Sequence, residues 1–146
     1  MNKDLKTNLG IVDLLSPIDT AGTDAVSLIL DCANVESPII NLLSGLFTGV
    51  DGSNYLTPIL QESDTIVGTS FTAVAAADIQ GAFVVINSTS LDNLIQTVQY
   101  KGSKRYIRVN LDFTGSGITA SLNAVLAIIG NAKYEPVVAP DPITAT

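Results

Sequence analysis

The sequence predicts an all-β fold: a jelly-roll-like antiparallel β-sandwich of about eight short strands, with at most one or two short helical turns. Three observations predict it. The 146-residue chain is 47% hydrophobic and only 14% charged, and its apolar set of Ile, Leu, Val and Ala is mixed with many Thr and Ser. That mixture suits strands better than surface helices, which carry Glu and Lys. Next, residues 106–113 alternate: Ile107, Val109, Leu111 and Phe113 fall on one side, and Tyr106, Arg108, Asn110 and Asp112 on the other. A period of two is the signature of a strand with one buried and one solvated face. Finally, clusters of Gly, Pro, Asp, Asn and Ser separate short apolar runs along the whole chain, the spacing of a sandwich or jelly roll. A chain this long buries roughly 70% of its unfolded surface, enough for a single domain over residues 1–133. Residues 134–146 form a proline-rich extended C-terminal tail.

The elements follow in order. Residues 1–6 are polar and sit outside the core. Residues 9–15 form a first strand, ended by Ser16-Pro17 because proline lacks the amide donor that a ladder needs. Residues 19–24 are a loop. Residues 25–32 make a strand with Val26, Leu28, Leu30 and Cys32 on one face, and residues 33–37 turn the chain. Residues 38–47 fit either a short amphipathic helix, which Pro38 would start well, or a buried strand. Ser44-Gly45 disfavours a long helix, so a strand with an irregular end is expected. Asp51-Gly52 marks a hairpin-type connection over residues 49–54 into a strand at 55–62. There Pro58 demands a sheet edge or a bulge. A loop at 63–70, a short strand at 71–74 and one helical turn at 75–79 lead to Gly81 and a fully apolar strand at 82–86. Residues 87–93 are turn-like. A strand at 94–100 joins the alternating strand in a hairpin through Lys101-Gly102-Ser103. Gly115-Ser116-Gly117 closes that strand. Residues 120–130 supply the last long strand, with Leu122, Leu126 and Ile128 on one face. The tail holds Pro136, Pro140 and Pro142, half of the six prolines, and should run extended. No internal repeat of fixed period is present.

Composition narrows the function. The net charge is −7. Four of the seven basic residues, Lys101, Lys104, Arg105 and Arg108, fall in one stretch, but against fourteen acids this is no nucleic-acid footprint. The longest apolar run, at 124–129, is far below the roughly 18 residues that cross a bilayer, so no membrane partner is expected. Lys3 and Lys6 precede no continuous apolar region, since Asp4 and Asp13 intervene, and synthesis and folding in the cytoplasm are expected. Cys32 is the only cysteine; it reads as a small core residue and allows no intrachain disulfide.

With no histidine, the commonest general base and metal ligand are missing, and Ser–His–Asp, Cys–His and the usual zinc arrangements are impossible. Glu62 and Asp64, two apart at a strand end, resemble a glycosidase pair on paper, but a solvated strand end is the better reading. Residues 51–54 lack the acidic density of a calcium loop, and residues 115–117 lack the rest of a phosphate-loop pattern and read as a hairpin turn. No catalytic residue, cofactor or metal is therefore predicted. Contact residues are another matter. Tyr106 and Arg108 share an outward face beside Lys104 and could dock on an acidic or aromatic partner, since Tyr and Arg are favoured interface anchors. The competing reading is a solvated face guarded by lysines against edge pairing. Tyr134, Pro136 and Pro140 would let the tail lie across a neighbouring subunit.

Three segments carry a family resemblance. Residues 56–64 (Leu-Thr-Pro-Ile-Leu-Gln-Glu-Ser-Asp), 71–78 (Phe-Thr-Ala-Val-Ala-Ala-Ala-Asp) and 100–109 (Tyr-Lys-Gly-Ser-Lys-Arg-Tyr-Ile-Arg-Val) resemble the head decoration, or capsid cement, proteins of tailed bacteriophages. With residues 5–15 the resemblance covers about half of the chain, in the expected order. The family usually joins the first two segments through a tight Asp-Gly turn; here residues 65–69 fill that place, and residues 33–54 are longer than usual. The resemblance implies a jelly-roll-like structural protein on the virion's capsid exterior, made in the host cytoplasm. Its partners would be the major capsid protein and further copies of itself, and the tail would order only on the assembled shell. The alternative is a carbohydrate- or receptor-binding β-sandwich of a phage tail or surface appendage. That reading needs aromatic stacking faces, and the chain has no Trp and eight Phe and Tyr together.

Overall fold

Strands of seven to ten residues form the body of the fold in a computed structural model, which describes residues 9–130 and 139–146. In chain order the strands are β1 (Gly10–Asp19), β2 (Ala25–Val26), β3 (Leu30–Asp31), β4 (Ile39–Thr48), β5 (Tyr55–Ser63), β6 (Thr72–Ala73), β7 (Ile79–Gln80), β8 (Leu94–Tyr100), β9 (Tyr106–Thr114) and β10 (Ala120–Ile129). All pair antiparallel. The first sheet has the order β1-β10-β4-β8-β7. The second has the order β2-β9-β5-β6, with β3 also on β9. The two sheets pack into an all-β sandwich. Leu14, Ile40, Leu42, Phe47, Val98, Val125, Ala127 and Ile129 of the first sheet share one core with Leu56, Leu60, Ile107, Val109 and Leu111 of the second, all buried. Each large side chain so buried contributes about 1.5–3 kcal/mol.

The alternation expected of β9 is present: Ile107, Val109 and Leu111 are fully buried, and Tyr106, Arg108, Asn110 and Asp112 are half-buried on the outer side. Residues 38–47 resolve to strand, as β4. Pro58 also sits where proline is tolerated. Leu56 turns its amide away from β9, toward Ile86, and by the two-residue period position 58 turns the same way. β6 reaches only Gln61 and Glu62, so the missing donor faces a gap in the ladder.

The three expected hairpins are absent, the one at residues 115–117 included, since β9 and β10 lie in different sheets. β8 and β9 lie in different sheets, and residues 101–105 carry the chain across the core edge between them. β4 and β5 are likewise split between sheets, so residues 49–54 form an arch. The turn chemistry was correctly placed: the Asp51 carboxylate accepts from the amides of Ser53 (2.7 Å) and Asn54 (2.8 Å), which holds it below the usual carboxylate range. A tight turn fixes a change of direction, not the sheet in which the next strand pairs.

Other boundaries moved for local reasons. β1 runs through Pro17 because it is an edge strand whose register shifts between Leu15 and Ile18. Residues 25–32 give two short strands, and the expected apolar face is split: Val26 and Leu28 are exposed, Leu30 is buried in the core with Cys32 packed against it, and Ser27 and Ile29 of the other face are also buried. Ser27 is tolerated inside because its hydroxyl accepts the Val109 amide (2.9 Å) and donates to the Leu28 carbonyl (2.8 Å). Residues 82–86 form no strand. They cross from one sheet to the other, with the Val84 backbone held by the Gln96 side chain amide and Ile86 bridged to Leu56. Among the described residues there are three single 3₁₀ turns, at Gly68–Ser70, Ala76–Asp78 and Thr89–Leu91, one more than expected.

The end of the tail lies on the chain's own body. Ile143 and Ile29 exchange both backbone hydrogen bonds, at 2.7 and 2.9 Å, and Thr146 bonds with Ile66 and Gly68. For residues 139–146, the expectation of order only on an assembled shell is therefore corrected. Ile29 is fully buried, and this segment helps to cover it. Tyr134 and Pro136 lie outside the described residues.

Candidate functional site

Three of the sequence's candidates, Lys104, Tyr106 and Arg108, gather at one end of the second sheet. Lys104, Arg105 and Arg108 each have a side-chain partner. Lys104 forms an ion pair with Asp64. Arg105 lays its guanidinium on Asp31 in a bidentate pair (Nε–Oδ1 3.0 Å, Nη2–Oδ2 2.8 Å) and stands 4.9 Å above the Tyr106 ring. That guanidinium holds the Asp31 carboxyl below its ordinary range. Arg108 donates from Nε to Gln61 Oε1 (2.8 Å) and from Nη2 to the Gly68 carbonyl (3.0 Å). Its guanidinium also stacks 4.1 Å over Phe71, and desolvation lowers its pKa. Arg108 is thus a clamp on the 64–71 loop and not a protruding anchor. Lys104 and Tyr106 remain part of the surface, and Pro140 is half-buried.

Glu62 and Asp64 do not act as a pair. Glu62 Oε2 accepts the Tyr100 hydroxyl (2.7 Å), and Asp64 is taken by Lys104. With Ser63, Thr65, Ser70 and Thr72 they line a shallow depression of about 260 Å³. A larger hollow of about 480 Å³ lies next to it, between residues 32–38 and 100–105. Cys32 borders that hollow with its thiol pushed up to about 12 by burial and by Asp31, so it offers no thiolate near neutrality. Among the described residues no three His, Cys, Asp or Glu side chains group so as to hold a metal ion.

These contacts place the three resembling segments in one block. Residues 56–64 are β5, residues 71–78 include β6, and residues 100–109 include the start of β9; β5 pairs with both β6 and β9. Motif residues of each segment bind those of another: Tyr100 to Glu62, Lys104 to Asp64, Arg108 to Gln61 and Phe71.

Sequence reasoning did not single out the opposite surface, the outer face of the first sheet. The register lines up Ile11, Ile128, Ile39 and Gln99 in one row, Asp13, Leu126, Asn41 and Thr97 in the next, and Ala124, Leu43 and Ile95 in a third. Ile11 is 68% exposed and Ile95 65%. Leu122, Leu126 and Ile128 do share a face, and it is this outer one. The inner positions of β10 include Ser121 and Asn123, both buried. Ser121 shares a hydrogen bond with Thr20, and Asn123 bonds Ser44 and the Ser121 carbonyl. The signal available was that β10 is apolar at both parities, which marks a strand covered on two sides.

No protein-family model, curated protein or solved structure matches the chain.

Proposed function

We propose that the chain is a virion structural protein, a capsid decoration or cement protein that binds the outer surface of a tailed-phage head and stabilises it. The observation that carries this reading is the spatial union of the three resembling segments. Segments far apart in sequence meet as β6-β5-β9, and the residues that make up the resemblance are the ones that stitch the block together. A resemblance in unrelated loops would not produce mutual contacts of this kind. The charged residues at that end serve the chain's own fold, leaving extended surfaces rather than a pocket of free acids and bases for function.

On this reading the protein is not an enzyme, needs no cofactor, and works on the capsid exterior with the major capsid protein as its partner. Lys104, Tyr106 and Pro140 are the contact candidates that stay at the surface; Arg108 serves them indirectly by holding the loop. The sugar-binding alternative has less support, because the Tyr106 ring, the aromatic nearest this surface, carries Arg105 over its face.

Quantitative mass spectrometry of purified virions tests the proposal. The expected copy number is comparable to that of the shell subunit. A few copies per particle would favour the tail-appendage reading, and absence from virions would remove the proposal.

A further inference from the structure

We infer that the outer face of the first sheet is a self-association surface, and that its occupant is the same face of a second copy. The inference stands apart from the capsid reading, since it rests on the first sheet alone.

Apolar residues dominate the face. Ile11, Ile128, Ile39, Leu126, Leu43 and Ile95 run across four strands. In the three aligned rows Asp13 is the single charged residue, and its carboxylate accepts the Ser16 hydroxyl. The polar side chains of the middle row are also engaged, with Thr97 Oγ1 donating to Asn41 Oδ1 (2.8 Å). The chain as a whole carries −7, and this face contributes a single charge to it. A partner selected by charge would find only the Asp13 carboxylate here. A second copy presents an equally uncharged, equally apolar sheet.

The area fits a dimer. Four strands spaced about 4.8 Å apart, each contributing about eight residues at about 3.3 Å, cover roughly 500 Å² in projection. Two copies together reach roughly 1,000 Å², the least that a specific interface of good complementarity buries. An exposed patch of that size is also at the upper limit for a monomer.

Knob and socket lie on the same face, as an isologous contact requires. Pro17, Leu43, Gly45, Ile95, Leu122 and Ala124 border an apolar groove of about 310 Å³. Gly45 makes room for it: a Cβ there would stand 3.1 Å from a Leu122 methyl. Ile11, across the sheet, is the most exposed large apolar side chain of the chain's described residues. Two such sheets pack about 10 Å apart with their strands aligned to within about 30°.

Sedimentation velocity of the full chain at tens of micromolar tests this. The native protein should sediment as a dimer or a larger oligomer rather than at its 15.2 kDa chain mass. Ile95→Asp and Ile11→Asp should each weaken association by at least about tenfold while leaving the far-ultraviolet circular dichroism unchanged. Val67→Asp, which alters a surface apolar residue of the second-sheet loop (46% exposed), should leave it intact. A monomeric native chain overturns the inference. So does an oligomer that survives both first-sheet substitutions, or one that Val67→Asp dissolves equally well. Head binding plays no part in these readouts, so their failure leaves the capsid proposal where it stood.

Discussion

Gly49→Ala is expected to lower the unfolding free energy by roughly 3–5 kcal/mol, from a left-handed backbone penalty and overpacking acting together. Gly49 opens the arch between the sheets with φ +87°, a conformation that costs an L-residue about 1–2 kcal/mol. A Cβ there would also sit 2.0 Å from the Gly117 carbonyl oxygen. That atom cannot step aside. The Gly117 amide donates to Asn54 Oδ1 (2.7 Å), and the Thr119 amide donates to the Thr48 carbonyl (3.0 Å), so the 49–54 and 115–119 turns interlock. Gly52, three residues on, has nothing within 4 Å of the same added atom, and Gly52→Ala should change stability by less than about 0.5 kcal/mol. Urea denaturation of both variants measures the contrast. Equal effects at the two glycines would show that the interlock does not exist.

Tyr100→Ala should cost a similar amount, about 3–5 kcal/mol for a buried aromatic, and Tyr100→Phe about 1–2 kcal/mol. The ring is 2% exposed, and its hydroxyl reaches out of the core at the point where the chain leaves the first sheet for the second. It donates to Glu62 Oε2 (2.7 Å) and accepts the Lys104 amide (2.9 Å). Burial and the Glu62 carboxylate both push the phenol's pKa up, so it remains a donor across the physiological range. Phe keeps the packing and strands the Lys104 amide and the Glu62 carboxylate. Denaturation midpoints for the two variants, with hydrogen exchange at Lys104, separate packing from anchoring. Wild-type stability and wild-type protection at Lys104 in Tyr100→Phe would show that the hydroxyl does not hold the crossing.

Strand positions were legible in the sequence where one face is buried and one is wet. β9 is the clearest case, because Arg108 and Asp112 cannot exchange places with Val109 and Leu111. Connectivity was not legible. Asp51-Gly52 and Lys101-Gly102-Ser103 mark turns correctly, yet each carries the chain between sheets. The residues that decide this, Gly49 against Gly117 and Tyr100 against Glu62, are partners distant in sequence. Residues 82–86 are apolar without forming a strand, because a glutamine side chain, Gln96, takes over the Val84 backbone bonds. The basic cluster was visible, but not its partners: Asp31 pairs with Arg105, and the end of β5 supplies Asp64 for Lys104 and the neutral acceptor Gln61 for Arg108. The apolar outer face of the first sheet was hidden for the opposite reason: β10 is apolar at both parities, and its polar Ser121 and Asn123 point inward.

The central claim is that this sandwich acts by covering a phage head, and add-back measures it most directly. Purified chain would be mixed with heads assembled without it, and pelleting would report the bound amount. The account predicts saturable binding at a fixed ratio to the shell subunit, together with greater resistance of the heads to heat. Absence of binding, or binding that never saturates, would contradict it.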